Sequence, residues 1–358
     1  MNIPNEVFNA EEQDILSPYV TNTNRSVFVL TNLPEVIKGA LFSRYSRSTL
    51  GLRTLLLKEF IQKKESKFDQ IQGGGNHQKS SKNIELAIES AQNFYDRILD
   101  GYGDDSIGEL GGAHLALENI SILATKTVED ARIGGSPLEK STRYVSFSEK
   151  INGEYQFYKE PVLLKSAHSN LFLNTCRNLF DTYVQFTEPI RDHVRKCLPR
   201  DTKISQNAYE RSVRARGFDI IRGLLPAATL TNMGVFGNGR FFENLISKLK
   251  VDSLLELNEL GKLSFEELNK VIPSFVRRAD TNHRHFQDFR GFDFSQKEFV
   301  SKIADSQLGK LKPNKSELVN LIDYDLEAEN KTIAAILYPY SSISLQQIRD
   351  CVRTMSDS

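Results

Sequence analysis

Apolar residues recur at helical spacing over Val36–Gln62, with one interruption where the cationic run SRYSRS (43–48) falls. Just before it, VFVLTNLP (27–34) reads as a short strand and turn, and the polar residues 1–25 read as a loose arm. QGGGNHQKSSKN (72–83) has the glycine and small polar residues of a flexible loop. Ile84, Ala87, Ile88, Ala91, Tyr95, Ile98 and Leu99 then line one face of an amphipathic helix, which the glycines of GYGDDSIGELGG (101–112) end. From Ala113 to Ile133 apolar positions are dense enough to predict a helix buried on most sides. YVSFSEKINGEYQFYKEP (144–161) predicts a hairpin turning at Asn152-Gly153.

Long amphipathic helices are expected over 164–197 and 205–224, the second stopped by Leu225-Pro226, because proline has no N–H and restricts its predecessor. NGRFFENLISKLK (238–250) begins another helix, and SFEEL (264–268) has the Ser264/Glu267 spacing of a capping box that opens one. Beyond about 285 the chain turns polar, which reads as a linker over 286–315. ALFSRYSRSTL (40–50) is echoed by AILYPYSSISL (335–345), and each is followed shortly by an arginine, Arg53 or Arg349. If the echo is a repeat, 316–358 opens a second copy of whatever 26–285 builds.

Composition narrows the classes. Lys plus Arg and Asp plus Glu are equal at 46 each, so no excess of positive charge points to nucleic acid. No apolar run reaches the ~20 residues of a membrane span, and the acidic start MNIPNEVFNAEEQDIL lacks a signal-peptide pattern. Cys176, Cys197 and Cys351 form no CxxC pair and no disulfide framework, so a reducing cytoplasm is expected and each thiol reads as structural. His283 and His285 have no acidic or cysteine companions nearby and read as a solvated helix end, without a metal.

The chemistry concentrates in EKSTRYVSF (139–147). In an extended segment Ser141 and Arg143 would project toward one face, and a hydroxyl beside a guanidinium fork suits a phosphate monoester. The plainer alternative is a solvated turn in which Arg143 pairs with Glu139.

GYGDDSIGEL, then ARIGGSPLEKSTRYV (131–145), then IRGLLP (221–226) and NGRFFEN (238–244), taken in that order, resemble the flavin-dependent thymidylate synthase family over roughly 27–285. Ser136, Ser141, Arg143 and Tyr144 fall on the family's signature positions, and Glu139 stands where members often carry Glu. The resemblance implies an α/β (α+β) fold, a small sheet with long packed helices. It implies a deoxyuridylate (dUMP) loop at Glu139, Ser141 and Arg143, with Arg222 as a further nucleotide contact. It implies a flavin site lined by Ser106, Glu109, Arg132, Asn238, Arg240 and Asn244. It also implies FAD as cofactor, NADPH as reductant, methylenetetrahydrofolate as one-carbon donor, dTMP as product, and a homotetramer with active sites between subunits.

The departures are specific. Ala131-Arg132-Ile133 stands for Arg-His-Arg, Leu138 for the signature Asn, Asp104 for a His, and Leu249, flanked by Lys248 and Lys250, for the Arg aimed at the pyrimidine. Two readings follow: a FAD-dependent synthase, or a non-catalytic copy of the fold that pairs with a complete copy, in another chain or in its own. A third, weaker one is an unrelated helical nucleotide-binding module.

Overall fold

The computed structural model describes residues 6–46, 48–62, 108–312 and 319–355. The loop expected at 72–83, the helix expected at 84–99, Asp104 and Ser106 lie outside the described residues. The chain forms two compact units, Met1–Ser295 and Gln296–Ser358.

The first unit is organised on a three-stranded antiparallel sheet of β1 (Gly112–Ser121), β2 (Gly135–Glu139) and β5 (Leu230–Asn238), in the order β1-β5-β2. β3 (Lys150–Ile151) and β4 (Glu154–Tyr155) make the separate hairpin that Asn152-Gly153 predicts. Both turn residues take the left-handed conformation of a two-residue hairpin, with φ of 52° and 80°.

The buried helix expected over 113–133 is not formed. Its first half is β1, and only Ile122–Asp130 is helical. Ala113, Leu115 and Leu117 face inward while His114, Ala116 and Glu118 face out, a period of two that a dense apolar run conceals. A bulge between Leu117 and Ile120 places Asn119 at φ 56°, and its N–H donates to Asn232 Oδ1 at 3.0 Å. Ser121 then caps the helix, its Oγ accepting from the Ala124 N–H at 3.0 Å.

The inner face of the sheet packs on the Gly239–Lys250 helix through Phe242, Leu245, Ile246 and Leu249, all 1% exposed or less. The arm expected to be loose joins this core: Asn9 and Glu12 close a capping box on the Ala10–Leu16 helix, and Leu16 is fully buried. VFVL is not a strand. It contributes one bridge, Leu30 to Val20, and leaves Val27 and Val29 exposed. The interrupted helix at 36–62 is seen as Glu35–Tyr45 and then Leu52–Leu55, which runs on as a π-turn to Ile61.

A second core joins the Ser169–Cys197 and Gln206–Ile221 helices to the hairpin. Cys176, Phe180 and Tyr183 recur four and three apart on the first helix, as one buried stripe requires. Tyr155 stacks on Phe180 at 4.8 Å and Tyr183 on Phe218 at 6.3 Å.

Two boundaries differ from expectation. Ser264 does not open a helix; it is buried inside Leu255–Leu268, because Leu257 and Leu260 extend the apolar stripe upstream of it. The linker expected from 286 is occupied by the helix Arg284–Leu308, whose described side chains are mostly solvated and of which Phe286 alone is buried. Hydrophilic composition there reflects exposure, not the absence of a helix.

The second unit, taken by itself, holds the end of that helix, then Ala328–Leu337 and Leu345–Val352, with a capping box of Ser344 and Gln347. Its core is Ala334, Ile348 and Val352, with Leu345 packed against them. Among the described residues no helix is long and apolar enough to cross a membrane.

Candidate functional site

β2 ends at Glu139 opposite Met233, and the Lys140 N–H donates to the Asn232 carbonyl, so the sheet fixes where the chain leaves it. The next residues do not alternate as a strand. Ser141 Oγ accepts from the Arg143 N–H at 3.3 Å, and the Tyr144 and Val145 N–H groups donate to the Ser141 carbonyl at 3.2 and 3.1 Å. A serine hydroxyl competing for nearby backbone N–H groups favours such a turn over a ladder.

The turn directs Arg143 to the Gln206–Ile221 helix, where Nε and Nη2 reach Asp219 Oδ2 at 2.9 and 2.8 Å. Arg222, just past the end of that helix, has Nη2 3.5 Å from Asp219 Oδ1. The two arginines expected at the nucleotide therefore meet on one carboxylate. Both guanidiniums remain about half exposed, at 49% and 47%, against 21% for Asp219. Asp219 was not anticipated, although its place three residues before Arg222 in GFDIIRG is the spacing of helix neighbours.

The Arg143–Glu139 pair does not form. Glu139 turns instead toward the Ile122–Asp130 helix, where burial pushes its carboxyl above the ordinary value. The nearby Thr125 hydroxyl works against that rise, and the charge of Glu129 adds to it.

A second group gathers at the start of the Gly239–Lys250 helix. Asn238 Oδ1 accepts from the Phe241 N–H at 2.8 Å, so Asn238 is the helix cap. Its own N–H donates to the Gly134 carbonyl at 3.1 Å. Gly134 sits at φ 85°, and a Cβ there would come 2.9 Å from the Asn238 amide, so only glycine fits. Arg240 Nη1 donates to Glu109 Oε1 at 2.6 Å, and Gly108 backs onto Arg240. Asn244, four residues on, is exposed on the same helix face as Arg240. Arg132 is exposed two residues before Gly134. Glu109, Asn238 and Arg240 thus adjoin the 131–135 loop.

The departures also have places. Ile133 is 96% exposed in the loop before β2, and Leu138 is 80% exposed on the solvent side of the sheet, the side that carries the tilted rings of His114 and Phe236. Leu249 is 1% exposed in the core. Lys250 cannot act for it: its Nζ donates to the Ala279 carbonyl at 2.9 Å and lies 3.8 Å over the Phe265 ring. Burial lowers the Lys250 pKa, against the opposing pull of Asp280 and Glu266. Lys248 is exposed.

Of the thiols, Cys176 is buried, which raises its pKa, while Cys197 and Cys351 are exposed, Cys197 Sγ lying 3.4 Å from His193 Nε2. The expectation that all three are structural therefore has a structural basis only at Cys176. No group of three or more His, Cys, Asp or Glu side chains suited to a metal occurs among the described residues.

Residues 61–274 match the family model described as thymidylate synthase complementing protein. A UPF0159 protein of Chlamydia muridarum (strain MoPn / Nigg) is 46% identical over 350 residues, covering 98% of this chain and 65% of the relative. One from Chlamydia pneumoniae is 49% identical over 350 residues, covering 98% and 64%. The UPF0159 protein Ta1429 of Thermoplasma acidophilum is 33% identical over 328 residues, covering 85% and 59%. The chain therefore spans somewhat under two thirds of the length of these relatives. A crystal structure of thymidylate synthase X from Helicobacter pylori with FAD and dUMP is 14% identical, with a TM-score of 0.42, covering 69% of this chain and 95% of that one.

Proposed function

We propose that this chain, which belongs to the thymidylate synthase complementing protein family, binds the phosphate of dUMP at Ser141, Arg143 and Arg222 and serves the FAD-dependent methylation of dUMP to dTMP. The observation that carries the proposal is the meeting of Arg143 and Arg222 on Asp219, beside a serine whose hydroxyl proton remains available to an acceptor. A phosphate oxygen is a stronger acceptor for a guanidinium fork than water, and a charge-assisted contact contributes on the order of 1.5–3 kcal/mol.

For FAD, the residues present suit the pyrophosphate. Gly134 and Gly108 leave the backbone bare around Asn238 and Arg240, and the positive end of the Gly239–Lys250 helix dipole favours an anion, although the Gly239 and Phe241 N–H groups already donate to the Gly111 carbonyl and to Asn238. Arg132, Arg240 and Asn238 would hold the phosphates, with Glu109 orienting Arg240, and Asn244 would lie farther along the same face. Bound FAD, reduced by NADPH, would supply hydride, and methylenetetrahydrofolate the one-carbon unit. The chain's own part is to hold the nucleotide phosphate, fix the loop through Asn238 and Gly134, and keep Arg143 oriented.

A second reading, a non-catalytic copy of the fold that pairs with a complete copy, is favoured by Ile133, Leu138 and the buried Leu249, which remove charged and hydrogen-bonding groups from the ring side. In either reading the site is completed by a partner, a homotetramer or an intramolecular pair.

Calorimetric titration with dUMP tests the nucleotide site: binding is expected, about tenfold weaker or more in Arg143→Ala, and absence of binding overturns it. Turnover with FAD, NADPH and methylenetetrahydrofolate, followed with the flavin absorption band, separates the synthase from the non-catalytic copy.

A further inference from the structure

The second unit is too poorly cored to stand alone. Its core is three residues, Ala334, Ile348 and Val352, while Ile333, Ile336, Leu337 and Tyr338 lie between 36% and 62% exposed. A unit of this size ordinarily needs a larger apolar core, a staple or a covering partner.

The first unit shows what such a segment looks like when covered. In both places a helix, Glu35–Tyr45 or Ala328–Leu337, is followed by a break rich in serine and then by a second helix, starting at Leu52 or Leu345. Aligned on the echo, Leu41 falls on Ile336, and their exposures are 0% and 62%. With one residue added in the break, Leu52, Arg53 and Leu56 fall on Ile348, Arg349 and Val352. All four apolar members are buried, and both arginines have an Nε that is buried without a hydrogen bond. At Arg53 the cover is visible: the guanidinium lies 4.4 Å over the Phe28 ring and donates to the Asn22 and Arg25 carbonyls, which belong to the segment wrapped on that helix pair.

We propose that Ala328–Val352 is the opening helix pair of a second copy of the fold built by the first unit, and that the face bearing Ile333, Ile336 and Leu337 is covered by the sheet and helices of that copy. The occupant is further chain of the same gene product. The length argues for it: 98% of this chain accounts for only 65% and 64% of the two chlamydial relatives, so they carry additional chain of domain size. The inference stands on packing and repeat, and it holds whether or not the first unit binds a nucleotide.

The test uses the product of the uninterrupted reading frame that contains these residues. The segment after Ser358 is expected to carry a sheet-forming stretch, Ser-x-Arg-Tyr and Asn-x-Arg, in the order of 141–144 and 238–240. In that product the amides of 333–340 should exchange with deuterium at least a hundredfold more slowly than in the 358-residue chain. Ile336→Asp should lower the melting temperature of the longer product and leave that of the 358-residue chain unchanged. A reading frame that stops at Ser358, a following segment without these motifs, or equal exchange in the two proteins overturns the proposal.

Discussion

Arg143 and Asp219 stand 76 positions apart in the chain and are joined by two contacts to one carboxylate oxygen, at 2.9 and 2.8 Å. The pair ties the turn after β2 to the end of the Gln206–Ile221 helix. It also sets a condition on any anion that enters, because a carboxylate already occupies the inner side of the two guanidiniums.

Asp219→Asn keeps the size and most hydrogen bonding but removes that charge. A dianionic phosphate a few ångströms away is then relieved of a repulsion on the order of 1 kcal/mol at the dielectric of a half-exposed site. The expected result is dUMP binding about fivefold tighter, with a steeper dependence on salt, measured by calorimetry at two ionic strengths. Weaker binding would show that Asp219 acts mainly by orienting Arg143.

Asn238→Ala removes the cap of the Gly239–Lys250 helix and should cost about 1 kcal/mol, read as a lower urea midpoint with an unchanged slope. Asn238→Asp, which still accepts from the Phe241 N–H, should restore most of it.

Glu139 gives a pH signature. Its folded pKa is raised above 4.5, chiefly by burial and then by Glu129, so the native state binds more protons than the unfolded chain just above pH 4.5. The stability this group contributes is therefore present in acid and lost as pH rises through the raised folded value. Glu139→Gln should have nearly the wild-type melting temperature near pH 4 and a higher one at pH 7, the gap opening across that window. A gap independent of pH would assign the effect to something other than ionisation.

Phe180→Ala opens a cavity in the second core beneath Tyr155, and should cost about 3–5 kcal/mol in chemical unfolding. The cost should be shared by the hairpin and the Ser169–Cys197 helix, because both pack on that ring.

The legible parts of the sequence were those with a local cause. Asn152-Gly153 dictates its turn, and the four-and-three spacing of Cys176, Phe180 and Tyr183 dictates a buried helical stripe, whereas the sheet-plus-helices class is what the family resemblance implies. The parts that were not legible depend on distant partners. β1 is a strand because β5 supplies its ladder from far along the chain; within 113–133 itself the apolar density suits either element. Ser141 and Arg143 were identified as a pair, but the turn joining them and the choice of Asp219 over Glu139 as partner required the Gln206–Ile221 helix to be in place. Arg284–Leu308 was hidden by its polarity, since little of it is covered.

The strand order has a consequence for how the protein is made. β5, the last of the three to be synthesised, is the centre of the sheet, so β1 and β2 have nothing to pair with until Leu230–Asn238 has been made. At ~5–20 residues per second, the apolar side of β1 waits roughly 5–20 s for its neighbour. During that interval Leu115 and Leu117 are an unpaired strand edge with a sticky face. The residues of the helical core, Phe180, Tyr183 and Phe218, all precede β5, whereas the Gly239–Lys250 helix that covers Leu115 and Leu117 follows it, so the second core can form first while the sheet waits for both its central strand and its cover.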